Sequence, residues 1–154
     1  EVGRKLISRF KYGDKLHLLP IFAPLLRRAA ADLLTGVDYA VPVPLHWTRL
    51  WRRRFNQSVL LAQTLGIPVN VTCLIRQRAT KRQVGMSREQ RLRNVHHAFK
   101  VRGSVTGQTL LLVDDVYTTG ATLDACCAAL LAAGAADVRV LTLARVIKPE
   151  QIDG

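Results

Sequence analysis

Acidic residues are scarce in this chain, and scarcest where basic ones gather. Eleven Asp and Glu stand against 23 Lys and Arg, for a formal net charge of +12. Residues 49–102 hold thirteen Lys or Arg and a single acid, Glu89, so that stretch alone carries +12 and the remainder sums to zero. From residue 106 onward the balance reverses, with three basic and six acidic residues. A basic middle beside an acidic C-terminal part points to a surface that meets polyanions, either nucleic acid or a multiply phosphorylated small molecule; the alternative is a solvated basic face. Cysteine is also scarce. Cys73, Cys126 and Cys127 form no C-x-x-C pair, which excludes a disulfide framework and a structural zinc site in this segment and leaves three small buried hydrophobes in a reduced cytoplasm. No apolar run reaches the ~20 residues that a membrane helix needs, the longest, residues 125–136, being interrupted by Gly134. Nothing resembles a secretory leader, so the expected setting is cytoplasmic with no membrane partner. The chain opens on Glu1 rather than methionine, as a segment starting inside a longer natural chain would.

Two common phosphate loops are missing as well. There is no G-x-x-x-x-G-K-[ST], and Gly120 is not part of a G-x-G-x-x-G. What is present instead is residues 110–123, LLLVDDVYTTGATL. Four apolar residues, two aspartates and a short turn lead into a Thr- and Gly-rich start of an alanine-rich run, the pattern of a buried strand that ends in acid and turns into a helix. A helix start offers unpaired N–H groups and the positive end of its dipole to a phosphate, and Gly120 lets the backbone approach closely. Asp114 and Asp115 would repel a bare phosphate. They must serve another part of the ligand, either a pair of vicinal ribose hydroxyls or a bound metal. The implied ligand is a sugar phosphate.

The rest of the chain alternates strands and helices. At 154 residues it suits one domain, residues 1–154, with a helical part at 1–36 and an α/β core at 37–154. Leu6, Ile7 and Phe10, then Leu25, Leu26, Ala29 and Leu33, keep helical spacing interrupted near Gly13 and at Pro20 and Pro24, which predicts two helices. Residues 39–44 read as a buried strand stopping at Pro42 and Pro44, followed by a basic loop or short helix up to Phe55. Residues 55–65 read as a helix capped by Asn56 and stopped by Gly66. A strand is expected at 69–75, then a polar, basic, mobile loop at 76–86, and a helix from the Ser87/Gln90 capping box to about Val95. A short strand at 96–101, a turn at 103–108, the strand at 109–114, a helix from about Thr119 to Ala133 and a last strand at 138–143 complete the chain. This alternation predicts a doubly wound, mostly parallel sheet with helices on both faces. Ligands in such sheets lie outside the carboxyl ends of the strands, so residues 114–122 and the loop of residues 42–54 are expected to face one crevice.

Residues 110–122, four apolar residues, Asp114-Asp115, two residues and Thr118-Thr119-Gly120-Ala121-Thr122, resemble the thirteen-residue phosphoribosyl pyrophosphate (PRPP) motif of type I phosphoribosyltransferases. A wider resemblance covers nearly the whole chain. Residues 42–46 (PVPLH), Phe55-Asn56-Gln57, Arg76-x-Arg78-x-Thr80-x-x-Gln83, Ser87-Arg88 with Arg91 and Asn94, and residues 114–122 together resemble the competence-associated ComF/GntX group of phosphoribosyltransferase-like proteins. Members commonly carry a zinc-binding ribbon ahead of this domain, and none is present in these residues. Arg54 stands where the group often has glycine, and Trp47 and Trp51 stand where basic residues are frequent.

The resemblance implies that Asp114 and Asp115 bind the ribose hydroxyls of PRPP and serve catalysis. Val116, Tyr117, Thr118, Thr119, Gly120, Ala121 and Thr122 would complete the PRPP site, residues 118–122 holding its 5-phosphate. The loop after Pro44, with Leu45, His46, Arg49 and Arg53, would meet the pyrophosphate. Residues 76–86, with Arg78, Thr80, Lys81 and Gln83, would be the flexible loop covering the reacting centre. Cleaving the C1–pyrophosphate bond develops positive charge on the ribose and negative charge on the departing group. Magnesium carried by PRPP, together with Arg49, Arg53 or Lys81, would stabilise the latter while a closing loop excludes water. The expected activity is transfer of ribose 5-phosphate to an unidentified acceptor. The alternative is a nucleic-acid-binding protein of DNA uptake, non-catalytic or PRPP-regulated, with single-stranded DNA as partner; Trp47 and Trp51 offer it a stacking platform, although such a pair more often packs an apolar face or an interface. His46, His96 and His97 lack a carboxylate at an obvious spacing and read as structural rather than catalytic. Self-association is left open.

Overall fold

The computed structural model describes residues 19–45, 55–77, 98–117 and 119–145. Its centre is a parallel three-stranded sheet of β1 (Tyr39–Pro42), β4 (Thr109–Tyr117) and β5 (Asp137–Arg145), in the order β1-β4-β5. An isolated parallel bridge between Ala40 and Val69 continues the sheet beyond β1. A separate antiparallel pair joins β2 (Leu74–Arg76) to β3 (Phe99–Val101).

The strand β4 shows why the central apolar run is continuous rather than alternating. Leu110, Leu111, Leu112 and Val113 are all fully buried, because helices cover both faces. Leu110 and Leu112, with Val41 and Val43, pack on α3 (Ala121–Ala132) through Leu123, Cys126 and Leu130, joined by Leu74 and Phe99 of the antiparallel pair. Leu111 and Val113, with Ala40 and Leu141, pack on Leu26 and Ala30 of α1 (Leu19–Ala30) and on Leu61 and Ala62 of α2 (Gln57–Gln63). Opposite parities along one strand therefore serve two cores.

The α/β architecture with a mostly parallel sheet matches the expectation from sequence, and several boundaries do not. The helix α1 runs straight through Pro24 instead of ending there. Pro24 lies on the exposed side, so the helix forgoes one N–H bond while Leu26 and Ala30 keep their buried contacts. The single strand expected at 69–75 is two features. The Asn70 side-chain oxygen accepts from Thr72 N at 3.1 Å and Cys73 N at 3.0 Å, a local turn that ends the Val69 bridge and redirects the chain into β2. The helix α2 is shorter than residues 55–65, although Asn56 caps it as expected, accepting from Ser58 N at 3.0 Å, and Gly66 turns the chain at φ 79°. The strand β4 passes through both aspartates to Tyr117, and β5 runs from 137 to 145, because the two pair from Thr109 beside Asp137 to Tyr117 beside Arg145. Its helix opens at Ala121, two residues later than expected, and β3 is confined to Phe99–Val101. Expectations for the first N-terminal helix and the 87–95 helix lie outside the described residues.

Candidate functional site

The end of β4 brings the acids and the helix start together as expected. Asp114 shares the parity of Leu110 and Leu112, and its charge reaches Cys126 of α3; its Oδ1 nevertheless accepts from Ser58 Oγ of α2 at 3.1 Å. The carboxylate thus stands where both helical layers meet the strand end. The same Oδ1 accepts from the Asp115 N–H at 2.8 Å. Burial, and then the adjacent Asp115 carboxylate, push the Asp114 carboxyl up to about 6, against the lowering effect of these two hydrogen bonds. A carboxylate held against burial and a like charge is a feature that binding sites exhibit more than structural cores do.

Beyond Tyr117 the backbone turns at Gly120, which has φ 80° and is the residue before the first turn of α3. Glycine is favoured here by the backbone, and any side chain would displace a neighbour. The left-handed conformation disfavours other residues, and a Cβ at this position would lie 2.5 Å from the Tyr117 hydroxyl. Gly120 offers no side-chain cap, and the first intrahelical bond, Asp124 N to Gly120 O, is 2.8 Å. The N–H groups of Ala121, Thr122 and Leu123 precede that bond and have no acceptor within the helix, so they and the helix dipole are available to an anion. Thr119 is exposed, and Val116, Tyr117, Ala121 and Thr122 are half-buried around this turn. Thr118 lies outside the described residues.

The second strand end is adjacent. Parallel pairing sets Pro42 beside Val113, and Val43 N donates to Val113 O at 2.9 Å, so the loop that leaves through Pro44 and half-buried Leu45 emerges next to the aspartates. Asn56 fastens that exit: its Nδ2 donates to Val43 O at 3.0 Å while its Oδ1 caps α2. His46, Trp47, Arg49, Trp51 and Arg53, and likewise Arg78, Thr80, Lys81, Gln83, His96 and His97, lie outside the described residues. Arg76, expected at the start of a mobile loop, is instead the last residue of β2, paired with Phe99 and holding its guanidinium 5.4 Å from that ring's centroid.

Ser58 is the site residue that sequence reading missed. It lies three, four and seven residues before Leu61, Ala62 and Leu65, on the stripe that must face the sheet, and a hydroxyl there has to find an acceptor. That spacing was the available signal. The three cysteines are free. Burial pushes the Cys73 thiol up to about 11, and burial with the Asp114 charge pushes Cys126 higher still. Among the described residues no group of three or more His, Cys, Asp or Glu is placed to hold a metal ion, and no helix is long and apolar enough to cross a membrane.

The family described as "Phosphoribosyl transferase domain" matches residues 58–152, from the Ser58 turn to past the end of β5. The chain belongs to this family. It is 41% identical over 151 residues to the "DNA utilization protein YhgH" of Escherichia coli (strain K12), an alignment covering 92% of this chain and 66% of that protein. It is 34% identical over 152 residues to "Competence protein F" of Haemophilus influenzae, covering 91% and 66% respectively. The resemblance to the competence-associated group therefore extends over most of the chain, which spans about two thirds of the length of these relatives. Solved structures place the fold among type I phosphoribosyltransferases. A purine phosphoribosyltransferase from Pyrococcus horikoshii superposes with TM-score 0.51 at 17% identity, covering 87% of this chain and 80% of that one. A hypoxanthine phosphoribosyltransferase from Trypanosoma cruzi gives 0.55 at 12%, covering 86% and 75%.

Proposed function

We propose that this domain binds PRPP and transfers its ribose 5-phosphate to an acceptor, releasing pyrophosphate. The observation that carries the reading is the junction of a half-buried acid with a raised pKa, Asp114, with the Gly120 turn and the open first turn of α3. The 5-phosphate sits on the N–H groups at the start of α3. The two carboxylates accept hydrogen bonds from the ribose hydroxyls, which keeps them clear of the phosphate. In the transfer the C1–oxygen bond to pyrophosphate breaks with its electron pair leaving on pyrophosphate, and the acceptor's lone pair forms the new bond to C1. Carboxylates beside the ribose favour the positive charge that develops there. The loop leaving Pro44, with the cations of residues 49–53 following in sequence, would meet the pyrophosphate. Magnesium carried by PRPP would supply positive charge that offsets the charge of the leaving group.

Calorimetric titration with PRPP, with and without magnesium, tests the reading. Binding is expected, and it should be lost in the Asp114→Asn/Asp115→Asn double variant; no heat of binding, or equal binding by that variant, refutes it.

A second reading has its own support. The +12 charge of residues 49–102 and the names of the relatives, a DNA utilization protein and a competence protein, fit a domain that handles nucleic acid, with PRPP as a regulator rather than a substrate. Affinity for an oligonucleotide should then fall steeply with salt. Absence of binding at low salt removes this reading, and competition between PRPP and the oligonucleotide tells shared from separate sites.

A further inference from the structure

Ser58 stands on the core-facing side of α2 and is only 3% exposed. Alanine would pack there and favour the helix more, so neither burial nor helix propensity accounts for a serine. The hydroxyl has a specific partner instead, Asp114 Oδ1 at 3.1 Å, and that oxygen also receives the Asp115 N–H at 2.8 Å. Both donors hold the same carboxylate oxygen. Neither of these two donors engages Oδ2. The bond also closes a circuit between the two strand ends of the site. Val43 N donates to Val113 O at 2.9 Å, Asn56 Nδ2 to Val43 O at 3.0 Å, Ser58 N to Asn56 Oδ1 at 3.0 Å, and Ser58 Oγ to Asp114. The exit of β1, the first turn of α2 and the acid of β4 are thereby one hydrogen-bonded unit.

We propose that Ser58 is a positioning residue, whose hydroxyl fixes the rotation of the Asp114 carboxylate so that Oδ2 meets a sugar hydroxyl of the ligand, and couples that carboxylate to the loop leaving β1. The proposal rests on the PRPP reading above. A charge-assisted bond of this kind stabilises the ionised acid, so its loss acts on both the carboxyl and the ligand.

The test compares Ser58→Ala, Ser58→Cys and Ser58→Thr in the whole chain by two measurements: carboxyl 13C NMR titration of Asp114, and PRPP affinity at pH 8. Ser58→Ala should move the Asp114 midpoint upward and weaken PRPP about tenfold, the scale of one hydrogen bond to a charged group. Ser58→Cys keeps the side-chain shape with a somewhat larger atom and a poor donor, so it should do the same if the alanine variant fails to fold. Ser58→Thr keeps the hydroxyl and should stay within about twofold of the parent. An unmoved midpoint, or parental PRPP affinity in both Ala and Cys variants, overturns the positioning role. A parent chain that binds no PRPP overturns the underlying reading, and the role at the ligand with it; the parent titration separates that failure from the first.

Discussion

Replacing Asp114 by Asn should make the folded chain more stable at pH 8 while removing its affinity for PRPP. The isosteric amide keeps an oxygen for the Ser58 hydroxyl and the Asp115 N–H, and removes a charge that burial and the neighbouring carboxylate both oppose. A carboxyl raised from 3.8 to about 6 in the folded state carries a penalty of at most ~3 kcal/mol once ionised. The sign follows from where the proton sits. Below about pH 3.8 the carboxyl is protonated in folded and unfolded chains alike, and the variant gains nothing from the missing charge. As pH rises towards 6 the folded state holds the proton more tightly than the unfolded one, so the parent loses stability over that window. Above it the loss is complete and constant. The new amide N–H group needs an acceptor, which reduces the gain to about 1–2 kcal/mol, or roughly 2–8 °C in melting temperature for a chain of this size. Urea unfolding of parent and variant at pH 4, 6 and 8 measures it. A difference that is absent at pH 8, reversed, or the same at all three pH values refutes the assignment of Asp114 as an acid held against its folding interest. Stability gained at the expense of binding is the usual relation at a site selected for chemistry.

Three further outcomes are expected. Gly120→Ala should destabilise by about 2 kcal/mol, from the left-handed backbone and the Tyr117 hydroxyl 2.5 Å from the added Cβ; the loss should shrink in a Tyr117→Phe background, and full additivity in denaturant melts would contradict the contact. Asn56→Ala removes both the α2 cap and the bond to Val43 O, costing about 1–2 kcal/mol, and thermal unfolding that matches the parent would show that neither matters. Cys73 and Cys126, buried and with raised thiol pKa values, should resist an aromatic disulfide reagent at pH 8 until urea is added; release of two or more equivalents from the folded chain would argue against that burial.

Some of this was written in local runs of residues. The apolar stretch 110–113 announces a strand covered on both sides, and the following acids, Thr and Gly announce its turn into a helix, because each signal spans a few neighbouring residues. The Asn56 cap is of the same kind, since its acceptor and donor are two residues apart. The stretch from Asp114 to Thr122 was therefore legible as a strand that ends in acid and turns at a glycine into a helix. Other features depend on which elements become neighbours. The 109–117 strand outlasts its apolar run because β5 lies beside it as far as Arg145, and Arg76 is drawn into a strand because β3 pairs with it from more than twenty residues away. A proline that locally disfavours helix is overruled in α1 by the packing of Leu26 and Ala30.

The sequence by itself determined the chemistry at the end of β4, two carboxylates and a glycine-started helix, because residue types in fixed order carry that information. Only the tertiary structure decided what surrounds them. It sets Ser58, 56 residues earlier in the chain, against one oxygen of Asp114 and partly withdraws that carboxyl from water beside a like charge. Hydrogen bonding and desolvation at that distance along the chain arise from the packing of α2 on β4, and no local pattern of residues can encode them.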